Sequence, residues 1–157
     1  MPRIESAVRS WEREELDVAR NDPASMLASV PLFAECTKKE LREIAGAAKE
    51  VEHKQGAVVA REGDQGVGFF LILDGTAKIS RDGRTVRRLG PGDYFGEIAL
   101  LDEGPRSATV TAETPLKLLG LTAWNFRRLV AQNPSIAPKL LKVMGERLRG
   151  TSRDPTH

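Results

Sequence analysis

The spacing of apolar residues changes along the chain and divides it into three zones. Residues 1–55 are glycine-poor and contain segments whose apolar positions recur at helical spacing. Residues 56–104 hold ten of the fourteen glycines, with short β-branched and apolar segments between them. Residues 122–149 return to a helix-forming composition. We therefore expect a strand-rich centre with helices on both sides.

The first zone predicts three helical segments. Glu5 to Ala19 can form a charged helix, and Asp22-Pro23 breaks it and caps the next one. Ala24 to Ser29 follows as a short helical turn. The run from Thr37 to Glu40 is a capping box that starts a longer helix.

The last zone predicts two helices. Thr122 is the expected N-cap of the first, Trp124 and Phe126 are its expected core anchors, and Asn133-Pro134 ends it. The second begins at Ser135 and is expected to end at Gly150. Its apolar stripe either covers the strands or forms a homodimer seam, and it consists of Ile136, Leu140, Met144 and Leu148.

Glycines punctuate the central zone at short, even intervals. Asp74-Gly75 and Asp82-Gly83 are hairpin signals, and two further strands are expected at Thr109–Ala112 and Leu116–Leu121. Short, evenly spaced strands predict a mainly β fold, a double-stranded β-helix (jelly roll) of about eight strands. N-terminal helices, one short helix among the strands and two C-terminal helices complete this prediction.

Composition narrows the class of protein. The chain has 157 residues, 40% hydrophobic and 29% charged, with a net charge of +2, which is typical of a soluble domain and not of a nucleic-acid binder. No apolar run is long enough to cross a membrane, no signal peptide is visible, and Cys36 is the only cysteine. We expect a cytoplasmic protein with a helical extension at 1–22, one domain at 23–150 and a loose tail at 151–157.

The hairpin arginines call for a separate interpretation. Arg81, Arg84, Arg87 and Arg88 flank the Asp82-Gly83 turn without interleaved aromatic residues. A solvated hairpin edge is therefore favoured over a nucleic-acid patch.

The run from Phe95 to Val110 carries the clearest chemistry. Gly96 permits a close backbone approach, and the short helix after it presents free N–H groups. Arg106 supplies a planar cation suited to phosphate oxygens, whereas Glu97 can accept hydrogen bonds from a ribose hydroxyl. Arg106 is predicted to share a strand face with the apolar Ala108 and Val110, and so to point inward. Together these residues indicate a site for a small ribose phosphate.

This run closely resembles the phosphate-binding cassette of the cyclic nucleotide-binding domain family. The pattern Gly-x-x-Phe-Gly-Glu-Ile-Ala-Leu…Pro-Arg-Ser-Ala-Thr-Val fits without a gap, and Leu27 to Phe33 resembles the segment that opens many members. The resemblance extends over roughly Met26 to Arg149. The family includes bacterial catabolite activators, regulatory subunits of cAMP-dependent kinase and gated ion channels, and the resemblance also implies a strand roll flanked by helices.

The resemblance assigns roles to the cassette. It implies that Arg106 pairs with the exocyclic oxygens of a cyclic phosphate and that Glu97 accepts the ribose 2′-OH. Further phosphate contacts are implied for the backbone N–H groups of Gly96, Ile98, Ala99 and Ala108 and for the hydroxyl of Ser107.

The base is expected to lie against an apolar wall. Ile79 and Val86 face one another if the hairpin turns at Asp82-Gly83, and both are expected to be core residues. Thr151-Ser152 resembles a pair that approaches adenine in the catabolite activators. Ser107 is compatible with cAMP in bacterial members, so cAMP is preferred over cGMP as the ligand.

The resemblance implies a sensor and not an enzyme, with no catalytic residue, metal or additional cofactor. Binding of cAMP would draw the cassette and the terminal helix together, and an unidentified partner protein would recognise the rearranged helix. Since the sequence ends soon after that helix, we expect a stand-alone module without DNA or membrane binding.

Two alternatives remain open. One is a ligand-independent interaction module with the same fold. The other is a cupin-like enzyme, which needs several histidine ligands, whereas His53 and His157 are the only histidines.

Overall fold

The computed structural model describes residues 22–66, 68–102 and 104–153. For residues 151–153 it describes the backbone alone. The predicted helix Glu5–Ala19 and the rest of the expected extension up to residue 21 lie outside the described residues, as do residues 154–157.

Helices stand on either side of eight strands in the described part of the chain. Two helices and a 3₁₀ turn precede the strands, a second 3₁₀ turn interrupts them, and two helices follow. The elements are α1 (Pro23–Leu27), a 3₁₀ turn (Pro31–Phe33), α2 (Lys38–Ala47), β1 (Lys49–His53), β2 (Val58–Ala60), β3 (Gly68–Asp74), β4 (Ala77–Arg81), β5 (Arg84–Leu89), β6 (Tyr94–Phe95), a 3₁₀ turn (Glu97–Leu100), β7 (Thr109–Ala112), β8 (Leu116–Thr122), α3 (Ala123–Gln132) and α4 (Ile136–Arg153).

The strands form two four-stranded antiparallel sheets, in the orders β1-β8-β3-β6 and β2-β7-β4-β5. Side chains from both sheets meet in one apolar cluster, which includes Ile72, Leu118, Ala77 and Val110. This confirms the predicted jelly roll with flanking helices.

Strand β3 is buried on both faces, which explains its uninterrupted apolar sequence. Ile72 faces the opposite sheet, whereas Phe69 and Leu71 face the helices. Phe69 packs edge-on against Phe33 with the ring centroids 5.8 Å apart, and Phe33 lies 6.0 Å from Phe126 of α3. These aromatic contacts attach the helices of both ends to one sheet.

The two predicted hairpins have different outcomes. Asp82 and Gly83 have φ values of 53° and 78° and connect β4 to β5 directly, so this hairpin is confirmed. The Asp74-Gly75 hairpin is wrong, because β3 and β4 belong to different sheets. Gly75 has φ 90°, and a Cβ there would lie 2.2 Å from the carbonyl oxygen of Pro115. The backbone crosses between sheets at this point and packs against the β7–β8 connection.

The helix starts are confirmed and one helix end is wrong. Thr37 forms the capping box with Glu40, and the hydroxyl of Thr122 accepts the N–H of Asn125 at 3.1 Å. The second C-terminal helix continues through Gly150 to Arg153. Glycine in a helix costs only about 1 kcal/mol relative to alanine, so a single glycine does not end a long helix.

The C-terminal helices bury one face each. Phe126 is buried as predicted, but Trp124 is 69% exposed, because two residues along a helix is more than half a turn. Ile136 and Leu140 pack into the core, whereas Leu148 is 66% exposed. The first residues of the predicted apolar stripe therefore pack against the roll, whereas its last residue, Leu148, is exposed to solvent. In the described residues no helix is both long and apolar enough to cross a bilayer.

A buried polar cluster joins α2 to α4. Glu40 is only 7% exposed and accepts hydrogen bonds from Lys139 Nζ, from Ser135 Oγ at 2.6 Å and from the Thr37 N–H at 2.8 Å. These donors, led by Lys139, hold the pKa of the Glu40 carboxyl at about 2, below its ordinary 4.5. Cys36 is half-buried nearby, and burial raises the pKa of its thiol, which favours the small-core-residue interpretation over a reactive thiolate.

Candidate ligand-binding site

The run from Phe95 to Val110 surrounds a cavity of about 470 Å³. The 3₁₀ turn Glu97–Leu100 forms one side, the segment before β7 forms another, and β4 closes the third. The predicted residues that line it are Ile79, Gly96, Glu97, Ile98, Ala99, Arg106, Ser107 and Ala108.

Arg106 is the cation at the inner wall of the cavity. Its side chain is half-buried, and Nη2 donates a hydrogen bond to the carbonyl oxygen of Gly68 at 2.6 Å. Among the residues that the structure describes, it forms no ion pair with a carboxylate. Burial lowers the pKa of the guanidinium from its ordinary value, but arginine remains charged at neutral pH. The cavity therefore contains a cation suited to an anionic ligand.

The prediction that strand alternation turns Arg106 inward is wrong. Strand β7 begins only at Thr109. The Arg106 backbone is instead held by the segment before β3: its N–H donates to the carbonyl of Asp64 at 2.7 Å, and its carbonyl accepts the N–H of Gly63 at 2.9 Å. Pairing with a distant loop thus orients the residue.

Glycines form the slot in which the Arg106 side chain lies. Gly96 has φ 83°, and a Cβ there would stand 2.2 Å from Arg106 Nη1 and 2.5 Å from the Gly68 oxygen. A Cβ at Gly66 would lie 3.1 Å from Arg106 Nε. Glycine at position 96 therefore makes room for the arginine side chain, whereas the room it leaves for a ligand stays a prediction.

Glu97 lies at the start of the 3₁₀ turn and contacts the last helix. Its side chain is 20% exposed, and Oε1 lies 3.9 Å from Nη2 of Arg147 in α4. The turn places Glu97 in the lining of the cavity, where its carboxylate can accept a hydrogen bond from a hydroxyl group. The ion pair connects the cavity to α4.

The apolar side of the cavity includes Ile79, Phe95 and Val110. Val86 does not line it and is 55% exposed, so the prediction that it is a core residue is wrong. The register places Arg87, not Val86, opposite Ile79, because β5 has a bulge between Thr85 and Arg87.

The residues whose backbone N–H groups are predicted to contact a phosphate all line the cavity. One of these N–H groups already forms a hydrogen bond within the protein. The N–H of Ala99 donates to the carbonyl of Gly96 at 3.0 Å and closes the 3₁₀ turn. Ile98 is 42% exposed on the cavity side of this turn, and Ser107 and Ala108 follow Arg106 along the wall. The contact of each residue with a ligand stays a prediction.

Thr151 and Ser152 belong to the last turn of α4 and not to a loose tail. Their predicted approach to the base stays a prediction.

Three charged residues at or beside the cavity were not predicted as site residues. Arg81 and Asp102 line the cavity, and Arg147 reaches Glu97 from α4. Alternation along β4 was the available signal for Arg81, since it lies two residues after Ile79. Asp102 lies within the run from Phe95 to Val110 but was given no role there. Arg147 had no signal in the sequence, because its position depends on how the helix packs.

No metal centre is visible in the part of the chain that the structure describes. There, no three His, Cys, Asp or Glu side chains lie close enough together to hold an ion.

Comparison with known proteins gives a consistent result. The family model described as "Cyclic nucleotide-binding domain" matches residues 50–133. A solved structure, the N-terminal domain of a transcriptional regulator from Streptomyces coelicolor A3(2), superposes with a TM-score of 0.75 and 34% identity, covering 80% of this chain and 94% of that one.

Two curated relatives are longer proteins. A cAMP-dependent protein kinase regulatory subunit from Schizosaccharomyces pombe is 42% identical over 68% of this chain and 26% of its own length. A cyclic nucleotide-gated potassium channel from Rhizobium etli is 34% identical over 97% of this chain and 39% of its own length. The chain therefore spans well under half the length of either.

Proposed function

Because the chain belongs to the cyclic nucleotide-binding domain family, we propose that it binds a cyclic nucleotide, with cAMP preferred over cGMP, and signals the binding through α4 to a partner protein. The observation that carries the proposal is Arg106, a half-buried cation that faces a cavity of about 470 Å³. That volume falls within the usual range of small-molecule sites.

The cavity contains a group for each part of the ligand. Arg106 offers two N–H groups in a plane, which suits two oxygens of a phosphate. Glu97 accepts from a hydroxyl and disfavours a bare phosphate without a sugar. Ile79 and Val110 provide an apolar surface for a base. A cyclic nucleotide, with a singly charged phosphate, a free ribose hydroxyl and a base, would engage all three.

Support for cAMP comes from two sources. The Schizosaccharomyces pombe relative is by name a cAMP-dependent regulatory subunit. Ser107, next to the arginine, occupies the place at which the family resemblance associates threonine with cGMP.

The contact between Glu97 and Arg147 suggests how binding would reach α4. The carboxylate of Glu97 can accept from a ribose hydroxyl and from the guanidinium of Arg147, which lies 3.9 Å away in this structure, so a bound ligand would draw the cassette and α4 together. The two ligand states would thus differ in the position of α4, and the size of the signal is limited by the difference in ligand affinity between them. The exposed Leu141 of α4 is where we expect a partner or a second copy to bind.

Calorimetric titration of the protein with cAMP, cGMP and 2′-deoxy-cAMP tests the proposal. We expect cAMP to bind more tightly than cGMP, and the deoxy compound to bind about tenfold or more weakly, because Glu97 then loses its hydroxyl donor.

Arg106→Ala should reduce cAMP affinity by about 2–5 kcal/mol, which is about one and a half to three and a half decades. Arg128→Ala, which removes an exposed arginine of α3, is the matched control and should leave the affinity unchanged. Absence of binding by the unmodified protein would favour the ligand-independent interaction module. Unchanged affinity in Arg106→Ala would exclude the phosphate contact.

A further inference from the structure

Arg81, the last residue of β4, lines the same cavity as Arg106. Its Nε donates a hydrogen bond to the carbonyl oxygen of Ser107 at 3.0 Å. It lies at the exposed edge of the hairpin, opposite Arg84, as predicted, and it also lines the cavity.

The fold determines this position. Strand β4 pairs with β7 so that Ile79 lies opposite Val110 and Ser80 opposite Thr109. Arg81 follows on the same face as Ile79, since side chains alternate along a strand. It therefore lies beside the chain that enters β7.

The turn of the β4–β5 hairpin is also held by a hydrogen bond to Glu62, a residue outside the hairpin. The N–H of Asp82 donates to Oε1 of Glu62 at 3.1 Å, and the turn residues Asp82 and Gly83 both have positive φ. A turn of this kind matches the twist of its strands, so Arg81 emerges from a well-defined backbone.

Most N–H donors of the Arg81 guanidinium remain able to bind a ligand. Arginine carries five N–H donors, and the carbonyl of Ser107 takes up one of them. No carboxylate among the described residues forms an ion pair with it. Two arginines thus border the wall on either side of Ser107, one half-buried and one exposed.

We infer that Arg81 is the outer cation of the phosphate subsite, a positioning residue that holds the Arg106–Ser107 segment and adds a second positive charge for the anionic part of the ligand. The inference rests on the proposed function. Arg106 supplies the inner contact, and Arg81 extends the positive potential to the mouth of the cavity, where an incoming anion first meets the protein.

The test compares three variants in titrations with cAMP at low and at high NaCl. Arg81→Met removes the charge and the hydrogen bond to Ser107, and should weaken binding about threefold to tenfold at low salt. It should also reduce the dependence of the dissociation constant on salt, because one fewer cation faces the anion. Arg81→Lys keeps the charge and should restore the salt dependence, a result that a purely structural role would not produce.

Arg84→Met is the matched control. It removes the same charge from the facing position of the same hairpin, but Arg84 does not line the cavity. Its affinity and salt dependence should equal those of the unmodified protein, and thermal unfolding of all variants verifies that they fold.

Each outcome has a distinct meaning. If Arg81→Met binds cAMP like the unmodified protein at both salt concentrations, or if Arg84→Met is weakened equally, the inference about Arg81 is wrong and the proposed function stands. If the unmodified protein binds neither cAMP nor cGMP, the proposed function is wrong and the inference falls with it.

Discussion

Gly96 and Arg106 depend on each other at the scale of single residues. The glycine adopts φ 83°, which side-chain-bearing residues rarely do, and the guanidinium occupies the volume in which a Cβ would lie. From the sequence, Gly96 is explained by the close approach of the backbone to a ligand phosphate. The structure adds that a side chain there would displace the arginine even before a ligand binds.

Gly96→Ala should therefore impair both stability and binding. The strained backbone is expected to cost about 1–3 kcal/mol in the free energy of unfolding. The displaced guanidinium should reduce cAMP affinity by at least about tenfold. Urea unfolding and calorimetric titration measure the two effects.

Gly90→Ala is the control for this variant. A Cβ at Gly90 would meet nothing within 4 Å, and the residue has no positive φ, so stability and affinity should hardly change. Tight cAMP binding by Gly96→Ala would contradict the slot described for Arg106.

Local signals predicted well where elements begin and poorly where the chain changes direction. The hydroxyls of Thr37 and Thr122 accept backbone N–H groups three residues on, an interaction that needs no distant partner. The crossing at Gly75 uses the same residue pair as a hairpin, and only the packing against Pro115 distinguishes the two. Elements whose ends depend on neighbours were therefore misjudged.

The outer half of α4 provides a prediction at the scale of elements. Arg147→Gln removes the ion pair with Glu97, so hydrogen exchange in α4 beyond Met144 should become faster in the ligand-free protein. Arg149→Gln, an exposed arginine of the same helix, serves as the control. Equal exchange in the two variants would show that the pair does not hold the helix.

Glu40 connects distant parts of the whole molecule. Its partners Ser135 and Lys139 lie at the start of α4, so one carboxylate joins the N-terminal helices to the C-terminal ones. The same region contains the contacts among Phe33, Phe69 and Phe126. The base of α4 is thereby anchored, and the ion pair of Arg147 with Glu97 joins its outer half to the cassette.

Stability should consequently depend on pH through Glu40. Its folded-state pKa of about 2 lies below the ordinary 4.5, so the carboxylate stabilises the fold above pH 4.5, and this contribution is lost as the pH falls towards 2. Glu40→Gln should lower the free energy of unfolding at pH 7 by about 1–3 kcal/mol.

The same variant should show a flatter decline of stability in acid. Urea unfolding at several pH values across this window measures it, with Glu43→Gln, an exposed glutamate of α2, as the control. An acid profile of Glu40→Gln that matches the unmodified protein would refute the assignment.

The sequence by itself determined the features that nearest neighbours along the chain control. The three zones, the helix caps at Thr37 and Thr122, the Asp82-Gly83 turn and the chemistry of Glu97 and Arg106 all follow from residue types at short spacing. The jelly roll followed from evenly spaced strands, because few folds accommodate them.

Only the tertiary structure decided which distant residues meet. Arg106 is oriented by Gly63 and Asp64 and accommodated by Gly66, and Arg147 reaches Glu97 from fifty residues further along the chain. The bulge at Val86 and the position of Arg81 beside the cavity depend on strand register, which one inserted residue alters. Such contacts join segments far apart in sequence, and their geometry follows from the pairing and packing of the sheets, which short-range patterns do not encode.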